Sequence, residues 1–491
     1  MKYVIMCGGK YGNFETPKQF TKVKGERIVD RTIRLLRENG VDDIVITSNN
    51  PVFDSCGVKR VEDKRNNFSQ DKSWTNMKGW WLDAFHDFNE PCCYLFGDVC
   101  YSERAMKRII ESDTDTSLLF GSNPTSSEGY LVKTWYEPFA FKVVDFKAFF
   151  KGIREVKSLY EKGKVNRHPI AWELYRHLNG LDINSNDVES HFVCINDYTT
   201  DIDNVNVREN DVERIEYFMD KEQGKHKELS KCFGVVSYIP DAEPARSLRI
   251  ERLNRMFNRV HELFGDVNWI IIAQNWKDYK YPNILKNVRV YEYEKMGILL
   301  ARKTLGKRFL ESDYDYLIML DDDAIIEVDG PLIAQAYMDE INLHPNMYMF
   351  LQYKEAQLNM CAISRYVYEH EPMVDVDPQK GEGYEDTVYS NLLKYKHHDW
   401  GFDTIHGIRC TQFRNKNEKA PSTWSNGSVD HKTLWLCTEQ YLRNFEKGIF
   451  TFNKNDVKNK AKLHDKLKKM LFNGWINKED IKRFYGIDFD A

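Results

Sequence analysis

Apolar and polar positions fall in blocks along this chain. Residues 2–7, Lys-Tyr-Val-Ile-Met-Cys, form a short apolar run that stops at Gly8-Gly9 and predicts a buried strand. After a polar loop ending at Pro17-Lys18, residues 27–39 carry Ile28, Ile33, Leu35 and Leu36 at helical spacing. Residues 43–48 predict a second strand, Tyr94-Leu-Phe96 a third and Thr116–Phe120 a fourth, with a helix over Glu103–Glu111. Helical patterns follow at about 145–162 and 207–220. This strand–loop–helix–strand alternation predicts a mostly parallel α/β sheet.

A charged stretch, Lys221-Glu-Gln-Gly-Lys-His-Lys-Glu228, interrupts the pattern, and a new strand opens at Phe233–Ile239. A helix over 247–263, a strand over 269–273, a helix near 297–311 and a strand over 316–320 repeat the style without a close sequence repeat. The expected organisation is a first α/β domain over 1–222, a linker over 223–231, a second α/β domain over 232–450 and a basic helical tail over 451–491. In that tail Val457, Ala461, His464, Leu467 and Leu471 form one stripe, which reads as a face docked on the parent domain.

Composition narrows the classes. At 491 residues, 42% hydrophobic and 13% aromatic, the chain is too long for one core and apolar enough for two or three. A net charge of −5 and a pI near 6.3 leave no global nucleic-acid footprint. The ten cysteines include no CxxC pair, so neither a zinc site nor a disulfide framework is expected. Residues 1–7 are too short for a signal peptide, and no run approaches transmembrane length. The expectation is a soluble, reduced, cytoplasmic protein, with oligomeric state open.

Two sets of residues carry candidate chemistry. In the first half, Gly8 and Gly9 directly follow a strand, where backbone N–H groups approach phosphates closely, and Lys10 and Lys18 offer charge to a polyphosphate. Asp98 closes a strand in Leu95-Phe-Gly-Asp98, at the edge where open α/β sheets bind ligands, and Asp201-Ile-Asp203 adds two carboxylates ahead of a helix. The stretch 1–220 resembles the nucleotidyltransferases that activate sugar or related phosphates, cytidylyltransferases among them. Gly8-Gly9, Pro17-Lys18, Asp98 and Asp201-Ile-Asp203 match the family's pattern, Glu209, Asp211 and Glu213 match the acidic start of its last helix, and Glu137–Phe141 falls where it shapes an acceptor pocket. The resemblance implies attack of a sugar- or polyol-phosphate oxygen on an NTP α-phosphorus, with Lys18 and Mg²⁺ or Mn²⁺ on Asp98, Asp201 and Asp203 stabilising charge. The family's loop arginine is absent, and Lys10 is the nearest substitute.

In the second half, the apolar run 316–320 ends in Asp321, Asp322 and Asp323. Three carboxylates at a buried strand end repel one another, and a divalent cation carrying a diphosphate would offset that cost. Arg302, on the preceding helix, is available to a diphosphate, and Glu385-Asp386 opens a later helix. Residues 232–440 resemble GT-A glycosyltransferases, which implies Asp321 and Asp323 on the metal, Asp322 beside the nucleotide sugar, and Glu385 or Asp386 facing the acceptor. A late histidine ligand is implied as well, with His431 preferred over His397, His398 and His406. The whole chain reads as two tandem Rossmann-like nucleotide-binding domains, a bifunctional enzyme of glycan assembly acting on an NTP, a sugar or polyol phosphate, a nucleotide sugar and a glycan acceptor. Three alternatives stand: a phage-type glycosyltransferase acting on modified DNA bases, a glycosyltransferase with an inert first domain, and a non-catalytic nucleotide-sugar sensor.

Overall fold

A computed structural model describes residues 1–8, 16–63, 69–71, 73–122, 136–203, 205, 210–328, 330, 332–346, 348–349, 359–373, 389, 401–402 and 408–412. Gly9, Lys10, Glu209, Glu385, Asp386, His397, His398, His406, His431 and the tail stripe lie outside the described residues. The chain divides into two compact units, Met1–His226 and Lys227–Ala491.

The first unit is a seven-stranded sheet built from β1 (Lys2–Met6), β2 (Ile44–Thr47), β3 (Lys59–Val61), β4 (Cys92–Phe96), β5 (Ser117–Ser122), β6 (Glu137–Val143) and β7 (Phe192–Cys194). Its order is β7-β5-β6-β4-β1-β2-β3. β1 pairs in parallel with β2 on one side and β4 on the other, while β6 runs antiparallel to both its neighbours. Central parallel strands are covered on both faces, which is why β1 and β4 read as unbroken apolar runs; Val4, Ile5 and Leu95 are fully buried. Phe139, Ala140 and Phe141 of β6 are buried core residues.

Helices α1 (Ile28–Glu38), α2 (Glu103–Glu111), α3 (Phe146–Glu161), α4 (Ala171–Leu178) and α5 (Asp211–Glu222) complete this unit. The α2 start is capped by Ser102, whose Oγ accepts from Ala105 N at 2.9 Å. Its end is closed by buried Lys142, whose Nζ donates to the carbonyls of Ile110 at 2.8 Å and Ser112 at 2.6 Å.

The second unit holds β8 (Lys231–Tyr238), β9 (Asn268–Gln274), β10 (Asn287–Tyr293), β11 (Tyr316–Asp321), β12 (Ala324–Val328), β13 (Tyr348–Met349), β14 (Cys361–Ser364), β15 (Gly401–Phe402) and β16 (Ile408–Gln412). The main sheet runs β10-β9-β8-β11-β14-β13-β15, and β12 pairs with β16 as a separate antiparallel ribbon. Helices α6 (Ala245–Phe264), α7 (Ile298–Leu310), α8 (Ile333–Leu343) and α9 (Arg365–His370) accompany it. Arg365 closes α7 by donating to Leu310 O at 3.0 Å and Ser312 O at 2.5 Å.

The α7–α9 contact depends on Gly306, because a β-carbon there would overlap the Tyr368 phenol ring and hydroxyl. Gly306→Ala is therefore expected to destabilise the second unit by about 1–3 kcal/mol. Calorimetry of the full chain checks this; an unchanged melting profile would show that α9 yields without cost.

Candidate functional site

In the first unit the candidate residues meet where strand order reverses, at the carboxyl ends of β1 and β4, the usual ligand crevice of such sheets. Gly97 N donates to Met6 O at 3.0 Å, and a β-carbon on Gly97 would collide with that carbonyl and with the Cys7 sulfur. Glycine is thus what lets the chain turn tightly against β1 and deliver Asp98 to the neighbourhood of Cys7.

A two-residue ribbon places the late carboxylates. Val99–Cys100 pairs antiparallel with Thr200–Asp201, and Ile202 N donates to Asp98 O at 2.9 Å. Behind it, buried Arg31 of α1 donates to Tyr101 O at 2.9 Å and Tyr198 Oη at 3.0 Å, tying the two ribbon strands to one helix. Asp203 N donates to Asp211 Oδ2 at 2.8 Å, which fixes the start of α5 against the same loop.

Lys18 enters from a single 3-10 turn, Lys18–Phe20, set up by Pro17. Its Nζ lies 2.5 Å from Asp203 Oδ1 and 3.9 Å from Asp98 Oδ2. Burial lowers the Lys18 pKa, but Asp98, Asp203 and Asp201 outweigh it, and the net direction is upward. Lys18, Asp98, Asp201 and Asp203 are therefore brought together, with the lysine charge among the acids.

Among the described residues no three His, Cys, Asp or Glu side chains gather to hold a metal ion. Mg²⁺ rarely needs such a cage, since one or two carboxylates plus substrate phosphates suffice. Asp98 together with Asp201 or Asp203 fits that requirement in donor type.

The second unit meets its charge problem differently. Asp321 pairs with Arg302 of α7 at 2.8 Å, and Asp322 pairs with Arg249 of α6. Two arginines of the same unit thus neutralise carboxylates expected to face a cation and a nucleotide, and Arg302 is engaged with Asp321. Buried Asn359 accepts the Asp321 N–H at 3.1 Å. Asp323 is pushed up to about 7, by burial first and then by Asp322 and Asp321, with Arg249 and Arg252 opposing.

Arg31, Arg249 and Asn359 were not legible as site residues. A polar residue inside an otherwise amphipathic helix was the available signal for the two arginines; nothing marked Asn359. Among the described residues no helix is long and apolar enough to cross a membrane.

No family model matches the sequence, and no curated protein matches it. Among solved structures, CTP:phosphocholine cytidylyltransferase from Streptococcus pneumoniae aligns at 16% identity and a TM-score of 0.24, over 39% of this chain and 90% of that one. A Bacillus anthracis protein described as a glucose-1-phosphate thymidylyltransferase aligns at 14% and 0.28, over 40% of this chain and 86% of its own. HddC from Yersinia pseudotuberculosis aligns at 15% and 0.21, over 29% and 77% respectively. Scores this low carry no functional weight, and the reading that follows rests on the geometry.

Removing the ammonium group from between Asp98 and Asp203 leaves their charge unbalanced. Lys18→Gln should bind Mn²⁺ severalfold more tightly than wild type in nucleotide-free protein, measured by electron paramagnetic resonance; unchanged affinity would mean the lysine does not share their field. For Asp323, the folded carboxyl holds a proton that the unfolded one, near 3.9, has already lost. Stability should fall as pH rises from about 4 to 7, so Asp323→Asn should melt above wild type at pH 8 and level with it near pH 4. An equal gap at both pH values would refute the shift.

Proposed function

We propose that the first unit transfers a nucleotidyl group from an NTP to a sugar or polyol phosphate. The observation that carries this reading is the convergence of Lys18, Asp98, Asp201 and Asp203 at the β1–β4 crevice. An acceptor phosphate oxygen attacks the α-phosphorus; a new P–O bond forms, the α–β bridge breaks, and pyrophosphate leaves with the electron pair. Lys18 exchanges its carboxylate partners for phosphate oxygens and balances the charge that builds in the transition state. A divalent ion, Mg²⁺ or Mn²⁺, would be held by Asp98 with Asp201 or Asp203 and would neutralise phosphate charge when bound. Gly8, just after β1, would offer a backbone N–H to an arriving phosphate.

For the second unit the favoured reading is glycosyl transfer from a nucleotide sugar to an acceptor. It is supported by an acid turn at the same point of a second sheet, with Asp323 as its least neutralised member. Roles for Glu385, Asp386 and His431 belong to this reading as expectations from the sequence. An acceptor that is a modified DNA base, an inert first unit and a non-catalytic sensor are the competing outcomes.

Pyrophosphate release should be assayed with Mg²⁺, each of the four NTPs, and a panel of sugar and polyol phosphates. Release that depends on one NTP, falling about a hundredfold or more in Asp98→Asn, is the expected result. Silence across the panel from folded, nucleotide-binding protein would leave the first unit as a binding domain. A panel of nucleotide sugars assayed for glycosyl transfer, with Asp323→Asn as the control, separates transfer from sensing.

A further inference from the structure

Asp98 sits on a short loop that is pinned at both ends. Tyr101 Oη reaches back to Phe96 O at 3.2 Å and to Phe139 O at 2.6 Å, so the segment Phe96–Tyr101 closes on itself around Asp98. The guanidinium of Arg31, only 5% exposed, reaches three separate segments with its three nitrogens. Nε donates to Tyr101 O at 2.9 Å, Nη2 donates to Tyr198 Oη at 3.0 Å, and Nη1 lies 3.9 Å from Glu26 Oε2. The first segment carries Asp98, and the second leads into Asp201 and Asp203. The third is the hairpin of Lys22–Val23 with Glu26–Arg27, which follows the Lys18 turn.

The lysine turn is fixed to the same helix. Thr21 N donates to Lys18 O at 2.9 Å, and Ile28 N, at the first residue of α1, donates to Thr21 O at 3.0 Å. Beneath these bonds Val23 of the hairpin, Ile28 of α1, and Cys100, Tyr198 and Ile202 of the two ribbon segments are buried in one small apolar cluster. A single turn of α1, residues 28–31, thus sets the lysine and the acids relative to each other.

We propose that Arg31 is a positioning residue for nucleotidyl transfer, holding the acid ribbon in place against the Lys18 turn. Being buried, it acts through Tyr101 and Tyr198 rather than on a phosphate. A guanidinium is planar with fixed donor directions, so it sets separations that an ammonium on a flexible stem does not. Displacing reacting groups by about 1 Å costs up to about a hundredfold in rate, which gives a remote strut its leverage. The inference rests on the nucleotidyl-transfer reading of the first unit.

Two variants of the full chain test it. Tyr198→Phe removes only the hydroxyl that Arg31 binds, and Arg31→Lys keeps the charge but not the fork. With the NTP and acceptor found by the pyrophosphate panel, each should lower kcat about tenfold or more and leave KM for the NTP within about twofold. Asp145→Ala, which removes the cap of α3 at the opposite end of the strands, should leave kcat unchanged at a similar loss of melting temperature. Hydrogen exchange gives a readout independent of turnover: the amides of Ile202 and Thr21 should exchange faster in Tyr198→Phe and Arg31→Lys, and not in Asp145→Ala. Wild-type kcat in both folded variants, or an equal loss in Asp145→Ala, would overturn the proposal. A wild type that releases no pyrophosphate would sink the nucleotidyl-transfer reading instead. The exchange rates would then decide whether Arg31 holds the two segments together, and unchanged rates would overturn that as well.

Discussion

Charge at the carboxyl end of the fourth strand is the constraint around which each unit is arranged. A strand buried on both faces delivers its last residues to the turn at its carboxyl end, and acids gathered there repel one another. Each unit answers with cations from its own chain. In the first, a single 3-10 turn after Pro17 carries Lys18 to Asp203 and Asp98. In the second, α6 and α7 bring Arg249 and Arg302 to Asp322 and Asp321.

The two solutions differ in how readily they open. Lys18 is a flexible ammonium on a loop, and its partner Asp203 is exposed, so phosphate can draw it away without disturbing a helix. Arg249 and Arg302 project from helices onto a buried acid turn whose backbone is also held by Asn359. Removing Arg249 would take from buried Asp322 the cation that chiefly offsets its charge. The first site is built to exchange partners, and the second to hold its geometry. One fold thus carries two electrostatic designs, which is why shared architecture does not transfer function from one unit to the other.

Much of the fold was legible because its signals are local. Continuous apolar runs marked β1, β2, β8, β9 and β11, and helical spacing marked α1, α2, α3, α6 and α7 within a few residues. The elements that escaped notice are those without such a signal. β10 is an edge strand whose residues are all partly or fully exposed, so it lacks a buried run. α4 carries buried Glu173 and Arg176, which mask an otherwise apolar helix.

The candidate acids were legible for the same reason: Asp98, Asp201, Asp203 and Asp321–Asp323 each follow a strand signal, and strand ends are where such sheets bind ligands. By itself the sequence determined the two α/β units, the acids at their strand ends and the lysine and arginines on offer, since these depend on spacing within short windows. Strand order and the choice of partner for each carboxylate came only with the tertiary structure. Those features are set by hydrogen-bond register and side-chain reach between segments about 70 to 185 residues apart, as in Arg31–Tyr101, Arg249–Asp322 and Lys18–Asp203. No local pattern encodes them, because the energy that selects one pairing over another exists only once the sheet has formed.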